Sequence, residues 1–329
     1  MRQPQVAARL TALPAALVLA APVVLAARAL LVSAAFLAEF LSEGSLSTLT
    51  ALTPEPLVSS LDAATDRYRP ATFSGGAPLV LVHGLAPAGK DDVRLRRAAR
   101  LLARAGFDVA VPTIPGLTHG RLRPDDARPV VAALATRPGR ARIVGVSVGA
   151  APAFLAAADP AVRERVRLVL ALGGYASALE LIRFHLTGDY AWQGRRGHVP
   201  RDPVLARAVI EANAELAGPE VRAALAAGDA ARVEAALAAL PAATQELIGS
   251  LSPERVVRDV RAPILLVHGR DDPAVPYTES LRLAAARPAQ TRVVLVGVVG
   301  HVEGATGRLG AAADLLRLLG AVYTLVAVD

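Results

Sequence analysis

The chain has 329 residues, 53% of them apolar and 20% charged, with 26 glycines and 24 prolines. That length and apolar content suit one large α/β domain or two modest ones built from many short elements. The net charge of +7 comes from scattered arginines (Lys90 is the single lysine), and with no run of five basic residues and only 4% aromatics the chain lacks a nucleic-acid patch. The absence of cysteine excludes disulfides, thiolate catalysis and cysteine–zinc sites, and leaves the compartment open.

Residues 10 to 27, LTALPAALVLAAPVVLAA, carry no charge and follow Arg2 and Arg9. Eighteen helical residues span about 27 Å, close to the hydrocarbon thickness of a bilayer. Pro14 and Pro22 are tolerated in such a segment. Residues 1–45 are therefore expected to be a membrane anchor. A signal peptide cleaved near AARA, ending at residue 29, and a helix packed on a soluble domain are the competing readings. Basic residues before the segment and Glu39 and Glu43 after it place the main domain outside the cytoplasm, anchored or secreted. Residues 46–77 are polar and turn-rich and are expected to be a linker.

From residue 78 short β-branched runs alternate with amphipathic stretches. The runs are 78–84, 107–113, 141–147, 165–174, 263–269 and 291–300, each nearly continuously apolar. Such runs are expected of parallel strands covered on both faces. The stretch DDVRLRRAARLLARAG, from Asp91 to Gly106, reads as a helix with Leu95, Ala99 and Leu102 on its buried face. The fold class is thus α/β, a mostly parallel central sheet flanked by helices. Between 175 and 258 no strand run occurs. This insertion is expected to be an all-helical cap over the carboxyl edge of the sheet, dividing the core into 78–174 and 259–329.

Two motifs compete for the chemistry. GLAPAGKD, residues 84–91, approaches a phosphate loop but has Asp91 where Ser or Thr must hold magnesium. Asp91 and Asp92 would also repel phosphate from that helix terminus, so no nucleotide is expected. GVSVG, residues 145–149, follows a strand and precedes a small-residue helix. That is the pattern of a nucleophile elbow, a turn so tight that only small residues fit beside an exposed serine, here Ser147. A serine needs a base, and the base an orienting carboxylate. Asp271 and Asp272 follow the penultimate strand run, and His301 follows the last. An oxyanion needs two backbone donors, and the N–H groups of Val148 and Leu85 are placed to supply them, with Gly84 allowing close approach.

With HGL (83–85), GVSVG (145–149), GRDDPAVP (269–276) and GH (300–301) in this order, the chain resembles the α/β-hydrolase superfamily, in its esterase/lipase-like branch with an inserted helical cap. The resemblance covers roughly residues 78 to 322 and implies Ser147, Asp272 and His301 as catalytic triad, because G-x-x-D-x-x-V-P resembles the family's acid loop. It implies a serine hydrolase acting on carboxylic esters, with an apolar acyl group and no cofactor. A thioesterase, acyltransferase or amidase on the same triad is the alternative, as is a non-catalytic binding protein on this fold.

The remaining histidines have plainer readings. His83 and His268 at strand ends are expected to bond loop backbone, and His119 lies on a loop from which it can reach a pocket. Tyr175, Phe184, Tyr190 and Trp192 cluster in a chain poor in aromatics. They either line the substrate pocket or anchor the cap. His301 and Glu303 lack a third ligand, so no metal is expected.

Overall fold

The computed structural model describes residues 7–71, 75–200, 203–212, 214–215, 218–227, 230–297 and 311–327. Eight strands form the central sheet: β1 (Leu57–Asp62), β2 (Thr65–Arg69), β3 (Ala77–Val82), β4 (Phe107–Pro112), β5 (Ala141–Val146), β6 (Val166–Leu172), β9 (Ile264–Gly269) and β10 (Thr291–Val296). The strands β7 (Asp189–Trp192) and β8 (Arg195–His198) pair apart from it. The sheet order is β1-β2-β4-β3-β5-β6-β9-β10. Only β1 and β2 run antiparallel to their neighbours.

All six expected runs are strands, and their near-continuous apolarity has the expected cause. On β3, Val80 and Val82 join one core with the helices Arg128–Ala135 and Ala150–Ala158. Leu79 and Leu81 join a second core on the other face, with the helices Val93–Arg104 and Ala311–Ala327. Successive side chains point to opposite faces, so a strand buried on both must be apolar throughout. The helix Val93–Arg104 buries Leu95, Ala99 and Leu102 as read, and Asp92 caps it by accepting the N–H groups of Arg94 (2.9 Å) and Leu95 (3.2 Å).

Three expectations are corrected. The stretch 46–77 is not a simple linker, because β1 and β2 form a hairpin that extends the sheet through β4. Thr65, Asp66 and Tyr68 turn inward while all of β1 is exposed, so this edge carries no apolar run to betray it. The insertion is not all-helical: besides the five helices among its described residues between Ala178 and Ser250 it holds the β7–β8 hairpin. Its turn is Gln193-Gly194, both at positive φ.

The third correction concerns the boundary at residue 45. One 35-residue helix runs from Ala7 to Leu41. Pro22–Leu41 is long and apolar enough to cross a membrane by length and composition. Residues 22–28 are exposed, but Ala29, Ser33, Phe36, Leu37 and Glu39 are buried in the domain. Glu39 Oε2 accepts the N–H groups of Leu49 (2.7 Å) and Thr50 (3.0 Å), and Thr48 Oγ1 donates to the Ala35 carbonyl at 2.6 Å. The last turns of the helix therefore belong to the fold.

Candidate active site

Ser147 follows β5 directly and takes φ +53°, one of three non-glycine residues at positive φ among those described. A left-handed serine costs free energy and persists where its surroundings hold it. Ser147–Gly149 form one tight turn that runs into the helix Ala150–Ala158. The flanking glycines are sterically required. A Cβ on Gly149 would lie 2.1 Å from the His83 carbonyl oxygen, and one on Gly145 would lie 2.8 Å from Ala150 Cα. The turn is pressed against the end of β3, which leaves Ser147 partly exposed at the carboxyl edge of the sheet.

The loop after β3 passes beside the serine. A Cβ on Gly84 would stand 3.1 Å from Ser147 Cβ and 3.7 Å from its Oγ. Buried His83 organises this loop. The Ile114 N–H donates to its Nε2 at 2.9 Å, so Nδ1 carries the proton and donates to the Gly84 carbonyl at 2.7 Å. Burial pushes the His83 imidazole below its ordinary range, against the raising effect of that hydrogen bond, and keeps it neutral. In the planar peptide that follows, the Leu85 N–H must point opposite to the Gly84 carbonyl, away from the His83 ring. Val148, the middle residue of the turn, is buried.

The loop expected to carry the acid follows β9. Asp271 is exposed, while Asp272 is 3% exposed. Asp272 Oδ1 accepts the N–H groups of Ala274 (2.9 Å) and Val275 (3.0 Å), and Oδ2 lies 3.5 Å from His268 Nε2. His268, wholly buried, donates from Nε2 to the Val275 carbonyl (2.9 Å) and accepts from Ser280 Oγ at Nδ1 (2.7 Å). One β-strand, β6, separates β5 from β9, so Ser147 and Asp272 leave the same sheet edge about 10 Å apart in the sheet plane. His301 lies outside the described residues.

The other expected site residues divide. His119 is exposed, its Nδ1 against the Pro115 carbonyl and Thr118 Oγ1. Tyr175 anchors the insertion instead of walling a pocket: it is wholly buried and donates to the Leu251 carbonyl at 2.9 Å, joining the two ends of the insertion. Phe184 packs edge-on to Tyr190 with ring centres 6.3 Å apart, and Tyr190 packs edge-on to Tyr277 at 6.0 Å. Trp192 stacks under the guanidinium of Arg282 at 4.2 Å. Among the described residues no group of three potential ligands could hold a metal.

Sequence reading missed Tyr277, Glu279 and Arg282, which couple the segment after β9 to the insertion. Buried Glu279 accepts the N–H groups of Ala176 (2.9 Å) and Ser177 (2.8 Å), where the insertion begins, and the Arg282 Nε–H at 3.2 Å. Nothing local marks this role: the motif ends at Pro276, and the contact spans 103 positions. Glu279→Ala should strand both N–H groups and cost about 2–4 kcal/mol, read from the urea midpoint. An unchanged midpoint would refute the clamp.

Residues 77–302 match the family model described as alpha/beta hydrolase fold, and the chain belongs to that family. No curated protein matches the sequence. Among solved structures, a puromycin-hydrolyzing peptidase of Mycobacterium tuberculosis is similar at 18% identity and a TM-score of 0.50, over 82% of this chain and 37% of that one. An acylaminoacyl peptidase of Pyrococcus horikoshii is similar at 15% identity and a TM-score of 0.50, over 78% of this chain and 39% of that one. The chain thus spans well under half the length of either relative, and at such identity the likeness is one of fold.

Proposed function

We propose that the protein is a serine hydrolase of carboxylic esters with Ser147 as nucleophile, His301 as base and Asp272 as the orienting acid. The observation that carries this reading is Ser147 at φ +53° between two glycines without room for a side chain, beside Gly84 at the sheet's carboxyl edge. Ser147 Oγ attacks the ester carbonyl as His301 removes its proton. The N–H groups of Val148 and Leu85 hold the oxyanion, and His301 returns the proton to the departing alcohol. Water, deprotonated by His301, then cleaves the acyl-enzyme and releases the acid. In this reading Asp272 Oδ2 holds the His301 imidazole in its working tautomer and stabilises its charged form. No step requires a metal or cofactor.

The half-buried rings of Tyr190 and Trp192 in the insertion and the apolar N-terminus favour an apolar acyl group presented near a membrane. In this reading residues 10–27 anchor the chain with its catalytic domain outside the cytoplasm. Two of the structural relatives are named as peptidases, so amide hydrolysis is the second reading.

Labelling of the detergent-solubilised protein with a fluorophosphonate probe tests the nucleophile. Labelling should be lost in Ser147→Ala and slowed at least about a hundredfold in His301→Ala. p-Nitrophenyl esters of increasing chain length, run against matched anilides, then separate esterase from amidase. Unlabelled but folded wild type would turn the reading to a non-catalytic binding protein.

A further inference from the structure

The N-terminal helix does not leave the domain as a bare tether. Its residues Val23, Ala26, Ala27 and Leu30 face Leu316, Leu319, Gly320 and Tyr323 of the helix Ala311–Ala327 across an open apolar groove. Around it Val24 (64% exposed), Leu31 (71%) and Leu316 (69%) project outward. The last helix is chemically two-sided: Leu318, Ala321 and Leu325 point into the core against β9 and β10, while the groove side carries apolar residues where a water-facing helix would carry charge.

We propose that the helix Ala311–Ala327 enters the outer layer of the bilayer alongside the N-terminal helix, so that the catalytic domain is docked against lipid and held at a set orientation. This rests on the anchoring reading above and goes beyond it by assigning the occupant of the groove as phospholipid acyl chains. Continuity of the helix carries the argument. Val23 to Ala27 are the last residues of the uncharged stretch 10–27, so any side chain packed along residues 23–30 stands within about 10 Å of the end of the hydrocarbon layer. Arg28 comes next, exposed and with no carboxylate partner among the described residues, as expected of a cation at the phosphate level. Tyr323 on the groove has the amphipathic ring favoured at that depth. Below residue 28 the helix enters the core through Ser33, Phe36, Leu37 and Glu39, which removes the flexible joint a tethered domain would need.

The chain contains no cysteine, so single-cysteine variants report cleanly. Full-length Leu25→Cys, Leu316→Cys and Val204→Cys, each exposed, would be labelled with an environment-sensitive fluorophore. They would be reconstituted in vesicles of phosphatidylcholine and phosphatidylglycerol, with and without bromine on the acyl chains. The inference requires the probes at 25 and 316 to be blue-shifted, several-fold brighter and quenched by brominated lipid, with the probe at 204 in the insertion unaffected. A probe at 316 that matches the one at 204 while 25 is quenched would overturn docking and leave the anchor standing. A probe at 316 that is blue-shifted yet insensitive to brominated lipid would mean that protein covers the groove, and would also overturn it. An aqueous probe at 25 would remove the anchoring reading itself, and docking with it.

Discussion

Asp272→Asn is expected to lower kcat on esters by about four orders of magnitude at neutral pH, with the fold intact. The asparagine carbonyl oxygen can still accept the N–H groups of Ala274 and Val275, so the turn that shapes the loop survives. What is lost is the second carboxylate oxygen. An amide NH₂ in that position favours the imidazole tautomer that cannot take the serine proton and offers no charge to the imidazolium. Asp271→Asn, one residue earlier and exposed, should stay within about twofold of wild type, since a solvated carboxylate outside the site interacts weakly. Initial rates with a short p-nitrophenyl ester, beside thermal melting in the same detergent, check both. A large loss at 271 with little effect at 272 would reassign the acid.

Gly149→Ala should be among the most damaging single-methyl substitutions in the chain. The added carbon would sit 2.1 Å from the His83 carbonyl oxygen and 3.0 Å from that of Val82, backbone atoms at the end of β3 and just beyond it that cannot swing aside. Relief requires the elbow helix to move away from the sheet, which opens the core around Ala150 and Ala153 and displaces Ser147. The cost is expected at or above about 4–5 kcal/mol, together with loss of probe labelling. Gly139 is the control. At φ +73° with nothing within 4 Å of its Cβ position, Gly139→Ala bears only the left-handed backbone penalty, about 1–2 kcal/mol. Urea unfolding of the two variants side by side measures the difference, and equal midpoints would contradict the steric account.

The legible parts of the molecule were those encoded by neighbours in the chain. The six apolar runs became β3–β6, β9 and β10 because burial on both faces imposes apolar character at every position of a strand. The tight turn at Ser147 was readable because it excludes any Cβ two residues to either side, and that exclusion writes itself as Gly145 and Gly149. Choosing Asp272 over Asp271 drew on resemblance alone. The structure adds a physical distinction, since one is buried with two backbone donors and the other is exposed.

The rest depended on partners far away in sequence. The β1–β2 hairpin looked like a linker because an edge strand with an exposed face can be polar, and its place is set by pairing to β4 some 40 residues later. Tyr175 could not be told from a pocket residue until its hydroxyl met the Leu251 carbonyl across 76 positions, and Glu279 had no signature at all until it met Ala176 and Ser177. Likewise the uncharged run of residues 10–27 determined by itself that the N-terminus prefers an apolar environment. Only the tertiary structure decided that the same helix continues into the core and lies against the chain's last helix. Hydrophobic period, missing charge and glycine sterics are properties of consecutive residues. Long-range contacts are selected by the free energy of the whole fold, which no local window contains.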